Sequence, residues 1–229
     1  MQTVLWSLEM CKSEAVDQCQ FCRLSATGRS LYFDKLMNGK EEVLYRDDRF
    51  IIVPDVAPCR PGHMLVVASS HVTSLATRWT DGSLAILVQR ISQALASLEE
   101  TAVFFEHGVG SDRKAPSCVE HAHVHVIPCA QPIAGLLSAE VEGLVKVPRP
   151  TPPMNDEFAL LLDVDGSWYQ SVTGPFAGQS IRRAVTPPSH GPYWNWMDFV
   201  HFPDPLRTKA RIEEGADTYG AVAKSLRSS

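Results

Sequence analysis

The stretch from Cys118 to Pro128 constrains this chain more than any other. It reads Cys-Val-Glu-His-Ala-His-Val-His-Val-Ile-Pro and holds three of the chain's eight histidines. Extended backbone sends successive side chains to opposite faces. His121, His123 and His125 therefore share one face of a strand, while Ala122, Val124 and Val126 share the other. The apolar face packs on a core and leaves a row of imidazoles on a rigid element. A helix would scatter the same rings over a wide arc, and Pro128 ends the ladder. Two chemistries suit the row. A facial set of imidazoles holds a catalytic zinc with an open position for water. Alternatively, one neutral imidazole attacks a phosphorus atom while its neighbours orient it and bind phosphate oxygens.

The flanking sequence predicts an α+β chain. Val43 to Arg46, Phe50 to Val53 and Gly62 to Ala68 read as strands, with Asp47-Asp48 as a turn and Asp55 to Pro61 as a proline-punctuated loop. Leu84, Leu87, Val88, Ile91, Leu95 and Leu98 recur at helical spacing, which predicts one long helix over 83–100 with Asp81 as its N-cap. Thr101 to Glu106 is a fourth strand and the histidine row a fifth, with His107 to Ser117 as a loop between them. Strands that mostly follow one another, with one helix inserted, indicate a five-stranded antiparallel sheet. Residues 1–18 read as a leader and Cys19 to Leu24 as a compact knuckle. After 130 the composition shifts, and 131–229 reads as an extension that packs on the core or enlarges a dimer interface. Within it, Val147 to Pro153 is a linker or extended wrap. Val164-Asp165-Gly166 turns a hairpin between Phe158–Asp163 and Ser167–Ser171. A short helix over 178–185 carries Arg182 and Arg183, Pro192 to Trp196 is an aromatic cluster assigned to core, and the last ten residues read as frayed.

The net charge of −5 in 229 residues argues against general affinity for nucleic-acid polymers. No apolar run reaches the length of a membrane span, and the start lacks the pattern of a secretory signal, so a cytoplasmic location is expected. Six cysteines in a chain this long are no disulfide framework. Cys19-Gln20-Phe21-Cys22 reads as half a zinc site or a redox pair, and no adjoining βαβ pattern supports the redox version.

Taken together, these residues resemble the histidine triad (HIT) superfamily of nucleotide hydrolases and transferases. The signature His-φ-His-φ-His-φ-φ is matched by His121-Ala-His123-Val-His125-Val-Ile. A second matching stretch runs from Val43 to Asp55 and continues through Pro61-Gly-His63 and Ser70-His71. The resemblance spans roughly 19–129 and implies covalent catalysis: His123 attacks the α-phosphorus of a nucleotide conjugate, and His125 contacts phosphate oxygens. Such a conjugate could be a dinucleoside polyphosphate, a phosphoramidate or an adenylylated compound. It further implies that Asp55 binds the ribose hydroxyls. The resemblance also implies that Cys19, Cys22, His71 and His121 hold a structural zinc, with no organic cofactor, and that the working unit is a homodimer joined through a continuous sheet.

The chain also departs from the family pattern. Glu106-His107-Gly108 stands where many small members carry Asn-x-Gly, and Ala115-Pro116-Ser117-Cys118 replaces a Gly-Gln-Ser loop. Glu106, His107, Ser117 and Cys118 are thus the candidates for phosphate and leaving-group contacts, with Arg113 nearby. The competing readings are a nucleotide-binding sensor without turnover and a zinc metallohydrolase that uses the row directly.

Overall fold

The computed structural model describes residues 19–30, 43–109, 121–138, 141–151, 157–171, 179–201 and 204–228. The leader assigned to 1–18 lies outside them. One antiparallel sheet organises the rest. Its strands are β1 (Tyr45–Arg46), β2 (Phe50–Pro54), β3 (Met64–Ala68), β4 (Ala102–Val109), β5 (His123–Pro128), β6 (Val145–Val147), β7 (Glu157–Leu162) and β8 (Trp168–Ser171). Their spatial order is β1-β2-β3-β5-β4-β7-β8-β6. The α+β class is as the sequence predicts, but the sheet has eight strands in place of five. The extension adds strands to this sheet and helices to both of its faces. Its hairpin lays β7 along the outer edge of β4, from Phe104 opposite Leu162 to Val109 opposite Glu157.

The helices are α1 (Gln20–Thr27), α2 (Ala76–Thr80), α3 (Ser83–Ala96), α4 (Ala134–Leu137), α5 (Ser180–Val185), α6 (Trp196–His201), α7 (Pro205–Glu213) and α8 (Ala216–Arg227), with a 3-10 turn at Pro188–Trp194. The knuckle predicted at Cys19–Leu24 is therefore the first part of a helix, closed by Gly28 in the left-handed region. None of these helices is long and apolar enough to cross a membrane.

The apolar stripe predicted for the long helix is the face that α3 buries: Leu84, Leu87, Val88, Ile91 and Leu95 are all at most 5% exposed. Burying these side chains contributes on the order of 10 kcal/mol before the entropy of ordering is counted. The helix stops short of the predicted end. Glu99 turns into the left-handed region. The N–H groups of Glu99 and Glu100 return to the carbonyls of Ala96 and Leu95, and Leu98 is left 38% exposed. This is a Schellman ending without glycine. Asp81 is not the N-cap: Gly82 holds that position, and Asp81 accepts the Ser83 N–H from one residue further out.

The sheet separates three clusters. On one face α3 and α8 cover Phe50, Ile52, Met64, Val66, Phe104, Val124 and Val126. The other face carries two smaller cores. One is α1 on Ile51, Val53, Leu65 and Val67. The other is α4 and α5 on Val103, Phe105, Ile127 and Leu161. The histidine row emerges between these two. The frayed end predicted for the last residues is corrected by α8, which buries Tyr219, Val222 and Leu226. The aromatic cluster assigned to core is only half-buried at Tyr193, Trp194 and Trp196. Its Tyr193 ring is faced by the Arg207 and Arg211 guanidiniums, each 4.4 Å away.

Candidate active site

Pairing with β3 on one side and β4 on the other fixes the row. Leu65 lies opposite His125 and Val67 opposite His123, while Phe105 flanks His125 from β4. The Phe105 ring stacks flat on the His125 ring at 4.4 Å, and Phe21 of α1 leans on His123 at 5.2 Å. Both rings are thereby fixed by packing.

Each imidazole has a different partner, and the partners set the tautomers. Nδ1 of His123 lies 2.8 Å from the His121 carbonyl oxygen. Only a protonated Nδ1 can donate to a carbonyl, so Nε2 of His123 keeps its lone pair. A second chain of contacts starts at Cys59, whose backbone N–H donates to Nδ1 of His63. His63 must then carry its proton on Nε2, which lies 3.0 Å from Nδ1 of His125. His125 accepts there and presents Nε2–H. The row thus offers a lone pair on His123 beside a donor on His125.

Electrostatics keep these rings neutral. Burial pushes His63 down to about 3, and the nearby Asp55 carboxylate does not offset it. Burial likewise lowers His123 and lowers His125 well below the usual histidine range, where its neighbours His123 and His63 add to the effect. At neutral pH none is an imidazolium.

Asp55 sits at the hub. It is 4% exposed. Its Oδ1 accepts the Ala57 N–H at 2.7 Å, and its Oδ2 accepts from Nη1 of Arg182 at 2.8 Å. The same Oδ2 is 3.3 Å from His63 Nε2 and 3.7 Å from His125 Nδ1. Burial alone would raise this carboxyl, but Arg182, His63 and the Ala57 N–H outweigh it and hold it below the usual range. The resemblance places Asp55 on a ribose. Here its carboxylate is engaged inside the chain.

His121 has partners of its own, with Phe21 of α1 against its ring at 5.7 Å. Its Nε2 lies 2.7 Å from the Ala68 carbonyl oxygen, which leaves Nδ1 as the lone-pair atom. That atom lies 3.5 Å from Cys19 Sγ and 3.6 Å from Cys22 Sγ. Cys22 Sγ is in turn 3.2 Å from Nδ1 of His71. The four donor atoms all lie within 4.8 Å of one another. Tetrahedral zinc with bonds of about 2.3 Å to sulfur and about 2.0 Å to nitrogen puts sulfur and nitrogen ligands about 3.5 Å apart. The set fits a zinc ion, and the Ala68 carbonyl is the outer partner that orients a histidine ligand. The three rings of the row do not converge on one point, as a metallohydrolase centre would require.

The remaining candidates divide. His107 stays on strand β4 and shares the face of Phe105, near enough to His123 and His125 that a charge on it would lower both. The loop predicted from His107 onward therefore begins later, since β4 runs to Val109. Glu106 points to the opposite face, where its Oε1 accepts the Leu75 N–H at 2.6 Å. It is 1% exposed, and strand alternation removes it from the row. Ser117, Cys118 and Arg113 lie outside the described residues. Sequence reasoning did not place His63 or Arg182 in the site. His63 is signalled by standing in the same motif as Asp55, but nothing local in the Arg182 helix points to a carboxylate far away in the chain.

An antiparallel sheet that presents a neutral imidazole lone pair beside an imidazole donor, with a separate Cys₂His₂ set at the row's start, defines a class of histidine-centred α+β proteins. Residues 37–131 match the family described as HIT domain. The match includes Asp55, His63, His71 and the whole row, but neither Cys19, Cys22 nor Arg182. A search of curated proteins found no match. Among solved structures, the chain is similar to a zinc-bound histidine triad family protein from Mycobacterium smegmatis. The identity is 24%, the match covers 50% of this chain and 76% of that one, and the TM-score is 0.35. It is also similar to a HIT family hydrolase from Clostridium thermocellum at 17% identity, covering 51% and 95%, with a TM-score of 0.33. Likenesses of this extent do not bear on activity.

Proposed function

We propose that the chain is a nucleotide hydrolase or nucleotidyl transferase that works through a covalent intermediate on His123. The observation that carries this reading is the 2.8 Å contact between His123 Nδ1 and the His121 carbonyl, which turns the other nitrogen into a nucleophile at neutral pH. In the first step the Nε2 lone pair forms a bond to the α-phosphorus of a nucleotide conjugate. The bond from phosphorus to the leaving group breaks, and its electron pair departs with that group. The ring then carries positive charge, which the His121 carbonyl stabilises through Nδ1–H. Nε2–H of His125 donates to a phosphate oxygen, where charge develops in the transition state. In this reading His107 meets further phosphates. Water, phosphate or another acceptor then attacks phosphorus, the N–P bond breaks, and its pair returns to Nε2.

Cys19, Cys22, His71 and His121 hold a structural zinc in this reading, closed to substrate by its four ligands. The working unit is a homodimer in the cytoplasm acting on small-molecule nucleotides, and neither a membrane nor a nucleic-acid polymer is a partner. A net charge of −5 supports the last point.

Intact-protein mass spectrometry after brief mixing with a nucleotide panel tests the reading. Wild type should gain an acid-labile nucleotidyl mass that His123→Ala lacks, with turnover reduced on the order of 10⁴-fold in the variant. Tight binding by both proteins with no adduct would move the assignment to a nucleotide sensor.

A further inference from the structure

The C-terminal extension clamps the loop that carries Asp55 and His63. Arg182 reaches it from α5 with its whole fork: Nη1 to Asp55 at 2.8 Å, Nη2 to the Ala57 carbonyl, and Nε back to the Trp194 carbonyl at 2.9 Å. The Tyr219 hydroxyl of α8 donates to the His63 carbonyl at 3.0 Å. Gly215 presses so closely that a Cβ there would lie 2.2 Å from the Gly62 nitrogen. The two side chains behind His125 are thus held by residues far away in the chain.

We propose that Arg182 is a positioning residue of the histidine site, committing Asp55 to the His63–His125 pair and withholding it from the sugar. The proposal rests on the nucleotidyl reading above. Both carboxylate oxygens of Asp55 are taken by donors of this chain, and the group is 4% exposed. A sugar hydroxyl would have to displace the guanidinium and leave it buried without its counter-charge, which is strongly unfavourable. With Arg182 in place, Asp55 instead lies 3.3 Å from His63 Nε2 and stiffens the contact through which His125 keeps its tautomer. The planar fork matters as much as the charge, because it ties Asp55, the Ala57 carbonyl and the Trp194 carbonyl together. The ribose 2′-hydroxyl therefore gains little from Asp55.

Adenosine 5′-phosphoramidate and its 2′-deoxy counterpart, given to the full-length protein, test this. Adduct formation, kcat and KM are measured for wild type, Arg182→Lys, Arg182→Gln and Asp55→Asn. Wild type should treat the two sugars alike, within about 3-fold in kcat/KM. Arg182→Gln should lower kcat by at least ~10-fold with KM within about 3-fold for both sugars, as expected for lost orientation. Arg182→Lys should recover only part of that loss. Should Arg182→Gln fail to fold, the lysine variant and the wild-type sugar comparison still decide. A wild-type preference for ribose above ~10-fold that Asp55→Asn abolishes would overturn the proposal while leaving the covalent reading intact. So would unchanged kcat in both Arg182 variants. No adduct with either sugar would overturn the nucleotidyl reading and the proposal with it.

Discussion

Burial acts on His63 and Glu106 in opposite directions along the pH scale. His63 is pushed down to about 3, so its stability contribution is present above pH 6.5 and fades as pH falls toward 3. Glu106 is pushed up to about 7 from 4.5, mainly by burial, with the Leu75 N–H pulling the other way. Its folded pKa is the higher one, so its contribution is fully present below pH 4.5 and is lost as pH rises through 7. At about 1.4 kcal/mol per unit, that loss amounts to roughly 3 kcal/mol at most. Urea unfolding at pH 5 and pH 8 should show Glu106→Gln losing less stability than wild type across that interval. Histidine titration is common to both proteins and drops out of the difference. Equal changes in the two would show that Glu106 is not buried as a neutral acid.

At the scale of elements, one helix end and one close approach decide the geometry. The Schellman turn at Glu99 redirects the chain into β4, and through β4 it sets Phe105 under His125. The approach of Gly215 to Gly62 seats α8 against the strand that follows His63. A methyl group at Gly215 would meet backbone at 2.2 Å and the Tyr219 ring at 3.1 Å, and backbone cannot yield as a flexible side chain can. Gly215→Ala should therefore destabilise the protein by roughly 1–3 kcal/mol, read as a lower urea midpoint. It should also slow adduct formation, because α8 then holds His63 less firmly. A melt and an adduct rate both unchanged from wild type would mean that this seat does not bear on the site.

The whole molecule is tied together at the candidate zinc set and along the edge of β4. The Cys₂His₂ set joins α1, the loop after β3 and the approach to β5. A zinc ion there cross-links distant parts of the chain, and its binding energy adds to folding. One zinc per chain should be released by a strong chelator or lost in Cys22→Ser, with Tm falling by roughly 5 °C or more. If Tm stays put while the metal leaves, the ion is not structural. The second tie is β7 along β4. Because the chain fills that edge itself, a continuous sheet across two copies has only β1 and β6 as open edges among the described residues.

What was legible in the chain follows from periodicity and local chemistry. Alternation placed His121, His123 and His125 on one face, helical spacing identified the stripe of α3, and Val164-Asp165-Gly166 marked the hairpin between β7 and β8. The C-x-x-C marked half of the candidate zinc set, and the family resemblance supplied His71 and His121. Each of these signals is carried by residues close in sequence or by ligand types that match. The remainder depended on long-range packing. Glu106 was misread because its neighbours in sequence are in the site, while the pleat sends it to the other face. The last helix was missed because Tyr219, Val222 and Leu226 are spaced among polar residues and around Gly220. The engagement of Asp55 by Arg182 joins residues 127 positions apart, and no periodicity encodes a contact that exists only after the extension has folded back onto the sheet.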